Sequence, residues 1–490
     1  MNRVYDVAII GAGPCGIVSA IELGKNGQTV ALIERGKNYA DRSCLVDQRE
    51  RCANCSPCNV ISGYGGCVHY GDSAKLSMYP SGKELYRILG EEEYYKLLDR
   101  ACQYWEIDKN KSFQNPQLKG NSLLEIKNYP VCVVDSNKIK SIVQKSYEWL
   151  IEQKDIDMQL NTNVIDIENQ EDIFVLNLKE KDKIIRAKKV ILAVGRGGLF
   201  WLKNSLNDWK VLNEEPEASI GVRFEMPKEY LKEMGKKHPD LKIRALVGNK
   251  KAKTFCFCAG ENGGRIKEMN YGDFSLLDGH ILTDVDIDNG RANFALLMKL
   301  KKPIENDQTY TDYINECLEK YRSLNKKNPG KPICQKYLEF RDKIQQENKL
   351  YDGVASVIEI SYGDVYKLFQ PDELKEYCLI AEEIFRYIWS NTSKEKSYEE
   401  FLNEILVIGL EMEGLWNKVE VNSQLESNSV QGLYFGGDCA GGTQGILQAT
   451  ISGLKIAEAI LIENGKKERL KGSDPIKKIL RSNTEGVRPY

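Results

Sequence analysis

The sequence predicts an α/β protein: a doubly wound, three-layer (ββα-type) dinucleotide-binding domain with an α+β domain inserted into it. Three stretches predict it. From Tyr5 to Arg35 an apolar run enters a turn on Gly11, Gly13 and Gly16, a helical pattern follows, and a second apolar run ends at Glu34. A buried strand, Val190 to Val194, stops at G-R-G-G, Gly195 to Gly198. The chain then returns at Gly432 with L-Y-F, followed by G-G-D-C-A-G-G (Gly436 to Gly442) and a helical pattern from about Gly445 to Ile462.

In the first stretch each glycine has a task. Gly11 permits the tight turn, and Gly13, just before Pro14, lets backbone N–H groups approach a pyrophosphate at the positive end of the helix. Gly16 lets that helix sit close on the strand. Glu34, eighteen residues past Gly16, is placed to accept hydrogen bonds from a ribose diol. An acid there disfavours a 2′-phosphate, so FAD or NAD is preferred over NADP; this motif alone does not choose between them.

The balance of 69 basic against 71 acidic residues creates no global field to recruit nucleic acid or an acidic membrane, so a small-molecule partner is expected. The first strand begins within five residues of Met1, leaving no room for a signal peptide, and no apolar run approaches the roughly eighteen residues of a membrane helix. The expected location is the cytoplasm. In that compartment the fourteen cysteines are read as reduced thiols, metal ligands or redox groups rather than a disulfide framework.

After Glu34 come a cysteine-rich insert (41–60) and a glycine-rich segment, Ile61 to Leu76. A helical insert occupies 83–130, with apolar residues at three- and four-residue steps from Lys83 to Trp105. A second helix, about Ser136 to Gln153, leads into strand signals at Met158 to Leu160, Val164 to Glu168, Ile173 to Leu178 and Ile184 to Ala187, and then to Val190 to Val194. A helix, a third parallel strand, a small antiparallel excursion and a strand ending in A-V-G is the order used by glutathione-reductase-like FAD proteins. The first part of the FAD-binding domain is therefore 1–215, the inserted substrate domain 216–424, the second part 425–464 and a basic tail 465–490. The inserted domain carries charged helical stretches from Tyr310 to Asn348 and Pro371 to Ile408.

Strand, G-D and helix N-terminus form the second half of an FAD site. Asp438 is expected to hydrogen-bond the ribityl chain or pyrophosphate, and the helix N-terminus at Gly445 and Ile446 to face the N1/O2 edge of the flavin. Arg35, Val164 and Gly195 complete the expected cofactor contacts. No second G-x-G-x-x-G opens a βαβ unit, so a dedicated NAD(P)H domain is not expected.

Cys44, Cys52, Cys55 and Cys58 have the spacing C-x7-C-x2-C-x2-C. Two-residue spacers let thiolates curl around one metal centre, so the set reads as a [4Fe–4S] cluster, as structural zinc, or as thiols without metal. A cluster would pass electrons from a ferredoxin-like donor to the flavin. Zinc would only fold the loop.

The chain resembles a family of bacterial and archaeal FAD-dependent dehydrogenases in the glutathione-reductase-like flavoprotein superfamily. The resemblance covers most of the chain and is carried by G-A-G-P-C-G (Gly11 to Gly16), E-R-G (Glu34 to Gly36), the cysteine insert ending Cys55 to Asn59, G-Y-G-G (Gly63 to Gly66) and G-D-S-A-K-L (Gly71 to Leu76). I-L-A-V-G-R-G-G (Ile191 to Gly198), S-I-G-V-R-F-E (Ser219 to Glu225), T-F-C-F-C-A-G (Thr254 to Gly260) and G-L-Y-F-G-G-D-C-A-G (Gly432 to Gly441) complete it. The chain departs from relatives at G-D-S-A-K-L, at His69 and at Gln444, where the flavin ring is expected. The resemblance implies a flavin oxidoreductase and supplies no substrate.

In this superfamily the segment Gly63 to Lys75 runs back to the flavin ring, which makes His69, Asp72 and Lys75 the candidate catalytic residues, His69 as proton donor. Cys67 is a candidate redox thiol or an inert buried cysteine. Cys256 and Cys258 share one face of a strand, and Arg223 and Arg265 are candidate anchors for an anionic substrate. The reading that results is hydride transfer between flavin N5 and a small-molecule carbon centre, a C=C bond or its reverse. Its rivals are an electron-transfer or redox-sensing flavoprotein acting on a protein partner, a monooxygenase, for which G-D-C-A-G stands where G-D-A-A-H is common, and an oxidase.

Overall fold

The computed structural model describes residues 3–465 except 49, 69–71, 115, 117, 181–182, 249, 273, 284–287, 300–308, 353–354 and 393–394. The first sheet begins with β1 (Val4–Ile10), followed by α1 (Pro14–Lys25) and β2 (Val30–Ile33). β1 pairs in parallel with β2 on one side and with the strand Ile184–Leu192 on the other, and β2 pairs in parallel with Ile156–Gln159. The apolar runs Val7–Ile10 of β1 and Val30–Ile33 of β2 suit strands covered on both faces.

The strand Ile184–Leu192 does two jobs. Ile184–Ala187 pairs antiparallel with Ile173–Leu178, which pairs with Val164–Gln170, while Val190–Leu192 pairs in parallel with Leu433–Phe435. Two separate strands were expected here. They are one because Lys188 and Lys189, which interrupt the apolar pattern, find carboxylates at the sheet surface: Lys188 Nζ lies 2.9 Å from Asp6 and Lys189 Nζ 2.5 Å from Glu463. The parallel strands thus end together at Ile10, Ile33, Gln159, Leu192 and Phe435, the edge at which ligands bind in such sheets.

On one face α1 packs against the C-terminal helix Ile446–Glu463, so closely that a Cβ on Gly453 would lie 2.4 Å from the Cys15 carbonyl oxygen. Ser19 Oγ donates to the Gly453 carbonyl at 3.0 Å. The helix expected from Lys83 to Trp105 is two, Lys83–Leu89 and Glu91–Tyr104, because Gly90 takes a left-handed φ of 78° between them. The helix expected near Ser136 is present as Ser136–Glu152, capped by Asp135.

A second, nine-stranded sheet is built from Leu124–Lys127 and from strands between Ser219 and Glu413. Its centre runs Leu406–Glu413, Ser219–Pro227, Arg291–Lys299 and Lys250–Cys258. The helix Pro371–Ser390 covers it, with the Tyr377 hydroxyl donating to Leu296 O at 2.6 Å and accepting from Val222 N at 3.1 Å. The two charged stretches expected to be helical are helical in part only. I-C-Q-K (Ile333–Lys336) and L-V-I-G-L-E-M-E (Leu406–Glu413) leave the helical pattern to join this sheet as strands. Leu124–Lys127, in a segment expected to be helical, pairs antiparallel with Lys242–Val247.

Two small antiparallel ribbons lie at the junction of the sheets, Ala74–Ser77 with Val131–Val134 and the hairpin Gly264–Asn270 with Ser275–Ile281. Among the described residues no helix is long and apolar enough to cross a membrane. The basic tail from residue 466 lies outside the described residues.

Candidate functional site

At the carboxyl edge of the first sheet the glycine turn closes on itself. Gly11 has a φ of 105°, and a Cβ there would stand 2.3 Å from Ala193 O; a Cβ on Gly16 would stand 1.9 Å from Gly11 O. Gly13 differs, since the nearest atom to its Cβ would be Gly66 Cα at 3.8 Å, which leaves its outer face open beside Pro14 at the first turn of α1. Bare backbone N–H groups at a helix start, with room beside them, suit a pyrophosphate.

Glu34 organises this turn. One carboxylate oxygen accepts from Ala12 N at 2.9 Å, and the other accepts from Gly36 N at 2.8 Å and Gly63 N at 2.9 Å. A carboxylate offers about four acceptor positions, so one remains for a ribose hydroxyl. The sequence points to the ribose and gives no sign of the loop-tying role. Beside Glu34 lies a cavity whose lining includes Gly11, Glu34, Arg35 and Val164. Ser62, Thr162, Asn163, Gly198 and Trp201 also line it and were missed, because they lie on connections whose approach depends on the sheet order. Arg35 forks onto Ser62 Oγ at 3.0 and 2.7 Å.

The returning segment supplies the second half. Gly441 and Gly445 have φ of 79° and 122°, and Gly445 caps the helix that starts at Ile446. Asp438 accepts from Gly445 N at 3.4 Å and lies 3.7 Å from Arg196 Nε. Arg196, directly after Gly195, also reaches Glu413 at 2.9 Å and Asp278 at 3.6 Å. Three carboxylates thus share one guanidinium. Burial pushes Asp438 and Glu413 above the ordinary carboxylate range although Arg196 pulls them down. Asp278 is held below it: Arg196 and its other basic neighbours outweigh burial. Half-buried Cys67 lies in the same region, its thiol pushed up to about 12 by burial.

Of the expected catalytic residues, Asp72 and Lys75 lie among the described residues. His69 lies outside the described residues. Asp72 is buried with Arg265 and Lys267, which also hold Asp47 of the cysteine-rich segment, and His280 links it to Asp278, at 3.4 Å from Asp72 and 3.9 Å from Asp278. Burial would raise its carboxyl, but Lys267, His280 and Arg265 hold it at about 2. Lys75 is buried with Asp240 and with Cys256 and Cys258. Arg223 pairs bidentately with Glu411, at 3.1 and 2.6 Å, and Arg265 is engaged by Asp72, so neither guanidinium is presented as an anion anchor.

The four-thiol centre is not assembled. Among the described residues no three or more His, Cys, Asp or Glu side chains are grouped to hold a metal ion. The buried Arg42 guanidinium fixes the segment by donating to Asn59 O, Val60 O and Tyr64 O at 2.7, 3.0 and 3.1 Å. Cys52 is drawn toward Glu268, with burial pushing its thiol to about 12, while Cys55 lies by Asn59 Nδ2 at 3.9 Å.

The family model described as pyridine nucleotide-disulphide oxidoreductase matches residues 5–200. With the two-sheet α/β fold, this defines the class: an oxidoreductase on an FAD-type, Rossmann-like dinucleotide-binding fold. A Clostridium beijerinckii protein described as uncharacterized is 25% identical over 478 residues, covering 92% of this chain and 80% of its own. Among solved structures, a flavoprotein/dehydrogenase from Cytophaga hutchinsonii is 14% identical, with a TM-score of 0.39, covering 98% of this chain and 83% of that one. Aklavinone-11 hydroxylase with FAD and aklavinone is 11% identical, with a TM-score of 0.40 and coverages of 95% and 64%.

Proposed function

We propose that the chain is an FAD-dependent oxidoreductase that exchanges a hydride with a carbon centre of a small molecule, a C=C bond or its saturated counterpart. One observation carries the reading. Arg196, set at the end of a dinucleotide-site strand, joins Asp438 of the returning half to Asp278 and Glu413 of the second body, so both bodies meet where the flavin half of the site is expected.

The residues fit the cofactor. Gly13 leaves open space beside the first turn of α1, Glu34 keeps one acceptor position, and Gly445 opens the N-terminus of the C-terminal helix. FAD bound there supplies a two-electron centre able to give or take a hydride. The chain's own part is to bind the adenosine half at Glu34 and Arg35 and to place a positive helix end by Ile446.

The test is anaerobic. The chemically reduced protein is mixed with a panel of α,β-unsaturated carbonyl compounds, flavin reoxidation is followed in the visible, and products are weighed for two added hydrogens. Reoxidation with that mass gain supports the reading. Turnover only with oxygen and a product heavier by one oxygen atom would replace it with a monooxygenase; release of peroxide would replace it with an oxidase; reoxidation only by a protein carrier would replace it with electron transfer.

A further inference from the structure

On the strand Lys250–Cys258 two thiols are brought together by an irregular backbone. Cys256 has a φ of 47°, a left-handed conformation that a non-glycine residue seldom adopts, and the register against Arg291–Lys299 slips between Phe255 and Cys258. In a regular strand, residues two apart have Cα atoms roughly 6.6 Å apart, near the upper limit for a disulfide. Across this left-handed break the two sulfurs lie 3.8 Å apart.

A cation is buried against both. Lys75 Nζ lies 3.4 Å from Cys256 Sγ and 3.3 Å from Cys258 Sγ, held by Phe257 O at 2.8 Å and Asp240 at 3.3 Å. The groups facing Cys256 from other elements are Lys75 on Ala74–Ser77, Arg223 on Ser219–Pro227 with its partner Glu411, Asp240, and Asp278 at 3.9 Å on the hairpin. The cations outweigh the one carboxylate in direct contact. Two inert core cysteines would require neither a left-handed residue nor a buried ammonium.

We propose that Cys256 and Cys258 are a redox-active dithiol oxidised by small disulfides, with Lys75 the positioning residue that holds Cys256 as the attacking thiolate. The assignment of roles follows the surroundings. The neighbouring Cys258 thiol, and then Lys75 and Arg223, draw Cys256 below the ordinary thiol range against burial and Asp278, while burial keeps Cys258 protonated. Cys256 is the less buried of the two, which assigns it the attack and Cys258 the resolution. The Cys256 thiolate attacks one sulfur of R–S–S–R: its S–S bond breaks, a Cys256–S–R bond forms and RS⁻ leaves. Cys258 then attacks Cys256 Sγ, the Cys256–Cys258 bond forms, and the second RS group leaves with the Cys258 proton. The two protein sulfurs lose two electrons, and the disulfide becomes RS⁻ and RSH. None of this needs a flavin, so it stands apart from the hydride reading.

The protein as isolated, with whatever cofactor it carries, is equilibrated anaerobically in glutathione buffers of rising oxidised fraction, alkylated and peptide-mapped. The expected result is loss of two hydrogens from the peptide spanning residues 256 and 258. Cys258→Ser should trap one glutathione on Cys256, and Cys256→Ser none on Cys258. Lys75→Met should move the pH midpoint of Cys256 alkylation upward and slow it about tenfold at neutral pH, and Lys75→Arg should restore both. Full alkylation of both cysteines in wild type after oxidised glutathione overturns the dithiol, and it decides the matter even if the variants fail to fold. An unchanged pH midpoint in Lys75→Met overturns the role of Lys75.

Discussion

Replacing Glu34 by Gln separates a ribose ligand from a mere loop residue. One oxygen takes the Gly36 and Gly63 N–H groups and the other takes Ala12 N–H, all at 2.8–2.9 Å. Gln keeps the shape, and its best orientation leaves the carbonyl on the two donors and turns its NH2 against Ala12 N–H. A hydrogen bond to a charged acceptor contributes about 1.5–3 kcal/mol and a neutral one about 1 kcal/mol. The loop therefore loses one bond and weakens two, a cost of roughly 2.5–7 kcal/mol. The remaining acceptor position, if it takes a ribose hydroxyl, loses about 1.5–3 kcal/mol more, which is roughly 10- to 100-fold in FAD affinity. The assay is titration of the flavin-stripped protein with FAD, followed by flavin fluorescence, with thermal unfolding of the stripped protein alongside. Lower stability together with at least tenfold weaker FAD binding is the expected outcome. Binding within about threefold of wild type would refute the ribose role.

Other outcomes follow from the same geometry. Gly16→Ala places a Cβ 1.9 Å from a backbone oxygen that cannot swing away, and should cost at least about 3 kcal/mol and most of the folded yield, read by urea unfolding. Gly13→Ala meets nothing nearer than 3.8 Å, so it should fold normally yet bind FAD more weakly by fluorescence titration. Asp72, held at about 2 by its basic neighbours against an unfolded value of about 3.9, adds stability that is full above about pH 4 and is lost as the pH falls through about 2. The loss should be roughly 2–3 kcal/mol, and Asp72→Asn should flatten that part of the acid unfolding curve. Cys55→Ser should leave the visible spectrum and the iron and zinc content unchanged; a shoulder near about 400 nm in wild type, absent from the variant, would contradict the spread thiols.

What the sequence showed and what it hid have physical reasons. Gly11, Gly16 and the apolar runs around them encode a local unit whose turn needs those residues, so β1, α1, β2 and the place of Glu34 were legible. The returning half was legible because Gly441 and Gly445 mark left-handed positions before a helix. Long charged patterns misled: Leu406–Glu413 is a strand because it fills the centre of a sheet assembled from distant segments. The same holds at the site. Arg196, Asp278, Glu413 and Asp438 come from four separate stretches, and no local pattern announces that they share one charge. Conversely, the close spacing of Cys52, Cys55 and Cys58 is a local pattern, while the position of Cys52 beside Glu268 depends on a distant segment.

The most direct test of the account is the cofactor itself. The protein is purified without added flavin, denatured by heat, and the released small molecules are separated, identified by mass and counted against protein. One FAD per chain, lost in Gly13→Ala, is the result expected from the two-part site at Glu34 and Asp438; a protein that releases no FAD and binds none when it is supplied would contradict it.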